Sequence, residues 1–188
     1  MTRGSRIRHF IPMFCGALIV VGSLPPRASG AQHAPGIPRV RSENPLIAQL
    51  IVDALAASAT FRGLVDAVNG TNGIVYVESG QCRQGTRACL MHSIDVAGPH
   101  RILRVLVNTR RDRNGLIGAI GHELQHALEV LVEPGITTTQ GLFFHFHGTS
   151  MNATGPFETR KAVRAGIQIE RELKTDAGAR QRRSEQGR

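Results

Sequence analysis

The sequence contains no tryptophan and one tyrosine, and aromatic residues make up only 4% of its 188 positions. Carbohydrate-binding and base-stacking surfaces depend on such side chains, so both kinds of binding protein are disfavoured. Glycine and proline (21 and 9 residues) are too few for a collagen-like chain, and 41% hydrophobic content excludes wholesale disorder. This composition is typical of one globular domain.

The apolar run at 10–24 is too short to cross a membrane, which takes about 20 apolar residues. Three arginines precede it, two prolines end it and small residues follow at 28–31. This pattern predicts a secretory signal peptide over 1–31, with an uncleaved anchor as the alternative. Its removal would leave 157 residues, no stable membrane anchor, and a periplasmic or extracellular location.

Cysteine is scarce as well, with three residues in the whole chain. Cys15 lies in the apolar run, so Cys82 and Cys89 remain after cleavage. An oxidising compartment favours a disulfide between them. They could instead bind a metal, but the chain that remains after cleavage has no further cysteines to complete such a site.

The net charge of +9 overstates the basicity of the exported chain, because four arginines lie within the first 31 residues and the remainder carries +5. Arginines recur in the loop 108–114 and in the tail after 176. They could attract nucleic acid, but stacking aromatics are missing. We interpret them as solvated charge or as loose attraction to anionic surfaces, and predict no nucleic-acid partner.

Hydrophobic spacing and capping residues divide the chain into helices and strands. Predicted helices cover about 45–55, 58–69, 115–132, 138–145 and 156–173, and predicted strands cover 74–77, 89–96 and 102–107. Helices on both sides of a few strands indicate an α+β domain over 43–175. A flexible leader (32–42) is expected before it and a disordered tail (176–188) after it.

The motif H-E-x-x-H occupies His122, Glu123 and His126, within the predicted helix 115–132. Histidines four residues apart share a helix face, so both imidazoles can reach one metal ion. Apolar residues lie on the opposite face. Three small residues on the ligand side are expected to leave room for a metal and a substrate: Gly115, Gly118 and Ala119.

This arrangement suits a hydrolytic zinc site. Three protein ligands leave a fourth position for water, which the metal acidifies to a pKa of about 7. Glu123 would take the proton as general base and later deliver it to the leaving amine. A solvated surface helix is the alternative, and it explains neither Glu123 nor the small residues.

Residues 115–132 resemble the active-site helix of the zincin metallopeptidases, and the strand at 101–109 stands where that fold keeps a strand beside its substrate groove. The resemblance covers about a third of the chain. It implies a zincin-like α+β fold with a small sheet beside the active-site helix. It also implies peptide-bond hydrolysis, a peptide or protein substrate, and one Zn²⁺ held by His122 and His126, with Glu123 as general base.

Two departures exclude the metzincin branch, which has a glycine where this chain has Glu129 and a third histidine where it has Val132. Ser150-Met151-Asn152 is therefore not read as a methionine turn. What remains resembles the gluzincins, whose third ligand is a glutamate on a later helix.

Two glutamates compete for the third position. Glu158 opens the predicted last helix, where Ala162, Ala165 and Gly166 would permit close approach to the motif helix. Gluzincins often carry an acid four residues after this ligand, whereas this chain has Ala162. Glu129 rises about 4.5 Å beyond His126 along the motif helix, so a supporting contact to that imidazole is more natural. We favour Glu158 and keep Glu129 as the alternative, with another third ligand left open.

Three further residues invite functional interpretations. His145 and His147 could be extra ligands or could stabilise an oxyanion, although their aromatic neighbours favour packing. Tyr76 could polarise a substrate carbonyl, although an apolar strand favours a core position.

Two other functions stay open: a non-catalytic secreted metal-binding module, and a zinc hydrolase of a non-peptide amide. Glu123 argues against the first, because a structural site has no use for a carboxylate beside the metal's open position.

Overall fold

A computed structural model describes residues 38–82, 85–110, 112–151 and 157–187. The predicted signal peptide lies outside these residues. The elements in chain order are β1 (Val40–Arg41), α1 (Pro45–Ala57), α2 (Ala59–Asn69), β2 (Gly73–Ser79), β3 (Ala88–Leu90), β4 (Asp95–Ala97), β5 (His100–Val107), α3 (Arg113–Leu131), α4 (Thr139–Thr149) and α5 (Arg160–Gln186). Within these described ranges, five helices with one small sheet confirm the predicted α+β class.

The sheet is mixed and buries one face. Its strands run in the order β1-β2-β5-β3, and β4 also pairs with β5. The first three strands are parallel, while β3 and β4 are antiparallel to β5. Alternate side chains of β2 and β5 point into the core and are fully buried: Val75, Val77, Leu103, Val105 and Val107.

The predicted strand 89–96 is wrong as a single element. β3 pairs with the end of β5 and β4 with its beginning, and Ile94 between them is buried away from the ladder. The polar residues His92 and Ser93 lie in the segment between the two strands, which the predicted strand counted as part of one element.

The motif helix α3 lies between the sheet and α5, and its capping side chain comes from Asp112, which accepts the Gly115 N–H. Glycines let the two helices meet closely beside the motif. A Cβ at Gly166 would lie 3.1 Å from the Gly118 carbonyl oxygen and 3.3 Å from the His122 Cβ, and one at Gly121 would overlap the Ile169 side chain. The sequence predicted this close approach of the last helix.

The space predicted for metal and substrate beside the small residues is filled by protein. A Cβ on Gly118 would lie 2.5 Å from the Glu170 Cγ, and one on Gly115 would meet Asp112. These glycines admit α5 and the helix cap, because periodicity predicts the last helix but not which residues of α3 it covers.

A buried arginine fixes the far end of α3. Arg101 on β5 is only 2% exposed. Its guanidinium donates to carbonyl oxygens at and just beyond the helix end, those of Val130, Leu131, Glu133 and Ile136. Carbonyls that have no partner within the helix are thereby satisfied.

A carboxylate ties α5 to the start of α2. Glu172 accepts hydrogen bonds from Ser58, from Thr60 and from Gln168. Burial alone would raise the pKa of Glu172, but these hydrogen bonds outweigh it and lower the pKa to about 2. The carboxylate therefore stays ionised and holds α5 in place near neutral pH.

Both predicted flexible ends are partly ordered. Val40 and Arg41 of the expected leader pair with β2, and Val40 is 3% exposed; residues 32–37 lie outside the described range. The expected disordered tail continues α5 to Gln186. Its residues favour helix, and the exposed pair Asp176–Arg180 supports it at i,i+4 spacing with an N–O distance of 2.7 Å.

The predicted disulfide is confirmed, joining Cys82 to Cys89 with their Cα atoms 5.9 Å apart. In the described part of the chain, no helix combines the length and apolar character required to cross a membrane.

Alanine substitutions at two helical glycines distinguish the effect of packing on stability from the effect of helix propensity. We expect Gly121→Ala to lower the free energy of unfolding by about 1–3 kcal/mol, because the new methyl group collides with Ile169. Gly63→Ala on α2 is the matched control, since a Cβ there meets nothing within 4 Å. It should gain up to about 1 kcal/mol from helix propensity. Urea unfolding of both variants checks the pair, and equal gains would contradict close packing of α5 on α3.

Candidate metal centre

Two imidazoles on adjacent turns of α3 form the base of the site. The ring centroids of His122 and His126 lie 4.9 Å apart. His126 is 3% exposed, and His122 is partly covered by α5. The predicted convergence of the two rings on one side of the helix is therefore present.

A third donor, Glu158, comes from the segment before α5. Its backbone carbonyl accepts the Met151 N–H at 2.8 Å, and its own N–H donates to the Ser150 hydroxyl at 3.1 Å. Two backbone hydrogen bonds thus hold this residue beside the histidines.

The prediction that Glu158 opens the last helix is wrong. Thr159 has an extended backbone and caps α5, accepting the Ala162 N–H on its hydroxyl, so the helix begins at Arg160. Glu158 therefore lies one residue before the cap, because the Thr159 hydroxyl accepts one of the backbone amides that the first turn of the helix leaves free.

These residues form a group that could hold a metal ion. One donor atom from each of His122, His126 and Glu158 lies within 4.8 Å of the other two. In the described part of the chain, the buried Nε2 of His126 has no hydrogen-bond partner. The buried Oε2 of Glu158 has none either, and the His122 Nε2 lies 3.4 Å from it. Buried polar atoms are rarely left without a hydrogen bond, so the proximity of these donor atoms to one another fits a cation.

Glu129 supports His126 and lies outside this group. Its Oε2 approaches the His126 Nδ1 at 3.3 Å, and its Oε1 accepts the Thr159 hydroxyl at 2.8 Å. Because a carboxylate only accepts, this contact places the ring proton on Nδ1 and leaves a lone pair on Nε2. The structure thus favours Glu158 as the third donor and gives Glu129 the supporting contact that was its other interpretation.

Glu123 lies beside the group, and a hydrogen bond from the sheet holds its carboxylate. Its Oε2 accepts the backbone N–H of Leu90 on β3 at 2.8 Å, and its Oε1 is 4.0 Å from the His122 Nε2. Burial raises the pKa of Glu123, although His126 and the Leu90 amide act in the opposite direction. A raised pKa suits a group that must accept a proton near neutral pH.

Burial also sets the charge of the possible ligands. It lowers the pKa of His122 to about 4, with a smaller contribution from neighbouring His126. It raises the pKa of Glu158. His122 is therefore neutral near pH 7, the protonation state in which an imidazole binds a metal.

Aromatic rings cover one side of the group. Phe146 on α4 lies 5.4 Å from the His126 ring and 5.8 Å from Phe157, whose ring is 5.0 Å from His92. Sequence reasoning missed His92 and the Leu90 amide, because neither β3 nor the chain that follows it carries a motif. The position of His92 within the predicted strand 89–96 was the one available signal for that residue.

The remaining candidates lie elsewhere. His145 and His147 are on α4 against phenylalanine rings and are not part of the donor group. Tyr76 is on the outer face of the sheet, where the Arg41 guanidinium stacks 4.7 Å from its ring centroid. It is therefore neither a core residue nor near the histidines.

Comparison of the chain with protein-family models, with curated proteins and with solved structures found no match.

The metal affinity of two variants shows whether Glu129 or Glu158 is the third ligand. We expect Glu129→Gln to weaken zinc binding about 10–100-fold, because an amide supports the His126 ring less well than a carboxylate. Glu158→Gln should weaken it further, since a donor oxygen is replaced. Glu133→Gln, an exposed carboxylate just beyond α3, is the matched control and should leave affinity unchanged. Competition with a zinc chelator measures all three, and a larger loss in Glu129→Gln than in Glu158→Gln would make Glu129 the ligand.

Proposed function

We propose that this protein is an exported, zinc-dependent hydrolase of peptide bonds with a zincin-like fold of the gluzincin type. The observation that carries the proposal is the convergence of His122, His126 and Glu158 beside the buried carboxylate of Glu123. The motif alone predicts two imidazoles and a carboxylate. The third donor comes from a segment 32 residues beyond His126.

The donor set suits zinc, because two imidazoles and one carboxylate are a common protein ligand set for that ion. His122, His126 and a Glu158 oxygen would hold it. When bound, the ion supplies a Lewis acid and acidifies a water to a pKa of about 7.

Glu123 is the base in this proposal. One of its oxygens is engaged by the Leu90 amide, and the other faces the His122 side of the group. It takes a proton from the attacking water and returns it to the nitrogen of the departing amine. Burial favours this exchange, because it raises the pKa of the carboxyl toward the working pH.

Two features support a peptide substrate. β3 is at the end of the sheet path and, within the described residues, pairs only with β5. An extended peptide can add to such an edge by main-chain hydrogen bonds, here without the Leu90 amide, which donates to Glu123. Around the site, three large apolar side chains are 36–48% exposed and offer contacts for apolar substrate residues: Met91, Phe143 and Met151.

Export is supported by the disulfide, which forms in oxidising compartments, and by the signal-peptide pattern of the first 31 residues. Both features support an activity outside the cytoplasm, in the periplasm or in the extracellular space.

Removing the base separates catalysis from metal binding. We expect Glu123→Gln to retain one zinc per chain and to lose at least about 100-fold in kcat, because the amide cannot accept the proton. Turnover is measured on a peptide library by mass spectrometry, with zinc quantified in the same samples. Glu133→Gln serves as control and should match the wild type.

Full activity in Glu123→Gln would overturn the assignment of Glu123 as general base. A wild-type protein that binds zinc and cleaves no peptide would point to the non-catalytic module. Cleavage of other amides alone would point to the second alternative.

A further inference from the structure

A single strand residue holds the carboxylate of Glu123. Among the described residues, the Leu90 amide is the only hydrogen-bond donor to that carboxylate. The Glu123 side chain is 12% exposed, so little water replaces this contact. Its orientation therefore depends on where β3 lies.

β3 is a weak element on its own. It has three residues and pairs only with β5 within the described chain. Short edge strands open readily because few hydrogen bonds hold them. Leu90 and Ala88 are buried, whereas Cys89 between them points to the other face of the sheet.

The disulfide fastens this strand at its centre. Cys89 is opposite Leu106 of β5, and the Sγ of its partner Cys82 lies 3.6 Å from the Leu106 carbonyl oxygen. The bridge thus joins the middle of β3 to the segment after β2, on top of β5. Leu90 is the next residue along the chain.

We propose that the Cys82–Cys89 disulfide is a positioning element for Glu123: it holds β3 so that the Leu90 amide orients the carboxylate. The inference rests on the proposed function for its catalytic consequence. The metal-binding group does not depend on the bridge, because His122 and His126 are on α3 and Glu158 is fixed by Met151, Ser150 and the cap of α5. A chain with reduced cysteines would therefore keep its metal ligands in place. Its β3 would be held by the pairing with β5 and by the partly exposed ion pairs of Arg87 with Asp112 and Glu170, and would orient Glu123 less firmly.

The test is the double variant Cys82→Ser/Cys89→Ser, compared with the wild type in zinc affinity, peptide turnover and amide hydrogen exchange. We expect unchanged zinc affinity and unchanged KM. We expect kcat to fall about 10-fold or more, because a displacement near 1 Å at a reacting group can cost about 100-fold. Exchange of the Leu90 amide should accelerate at least about 10-fold while the amides of α3 keep their protection.

A general loss of stability has a different signature, which Val68→Ala provides as control. Val68 is a fully buried residue of α2, so this variant weakens the core without touching β3. When its loss of unfolding free energy equals that of the double variant, Val68→Ala should leave kcat unchanged. It should also leave unchanged the ratio of the hydrogen-exchange rate of the Leu90 amide to the rates of the α3 amides. Equal changes in the two variants would overturn the inference, as would unchanged Leu90 exchange or a loss of zinc affinity in the double variant.

The two proposals fail separately. If the wild type cleaves no peptide, the proposed function falls, and the positioning claim is still decided by exchange. In that case Glu123→Ala, which removes the acceptor and keeps the disulfide, must also accelerate Leu90 exchange. If it does not, the contact does not hold the strand and carboxylate together and the claim is wrong.

Discussion

The close packing of α5 on α3 is the constraint on which the site depends. It brings Glu158 to a pair of histidines 32 or more residues away, and glycines at the contact are what allow it. At the start of α5, Thr159 caps the helix and donates to Glu129, which contacts His126. One hydroxyl therefore connects the two segments that carry the donor atoms, so that helix packing and donor geometry are set together.

The donor group is costly to the folded chain without a cation. The buried Nε2 of His126 has no hydrogen-bond partner, and such an atom costs about 1–3 kcal/mol. The Oε2 of Glu158 also makes no hydrogen bond and lies 3.4 Å from the His122 Nε2. Burial also disfavours the ionised form of Glu158. A divalent cation would offset these costs, since it pairs with the negative charge of the carboxylate and accepts lone pairs from the donor atoms. The cost of burying these donor atoms in a small domain is therefore a physical reason to assign a bound cation to the group.

Local signals predicted much of the fold and part of the site. Asn44 and Ser58 accept the amides that a helix start leaves free, so α1 and α2 begin where expected. The histidines converge because helix geometry requires it. Long-range packing decided the rest. Spacing along one helix could not show whether Glu129 or Glu158 is the third donor. The answer depends on where α5 begins and on which nitrogen of the His126 ring Glu129 contacts. The Leu90 amide carries no sequence signature at all, since every residue except proline has one.

The most direct test of the account is X-ray absorption spectroscopy at the zinc edge on the metal-loaded protein and on Glu158→Ala. The account predicts one zinc per chain with two imidazole nitrogens and a carboxylate oxygen at about 2.0–2.2 Å, and loss of that oxygen in the variant. Failure to take up stoichiometric zinc, or a spectrum that Glu158→Ala leaves unchanged, would contradict it.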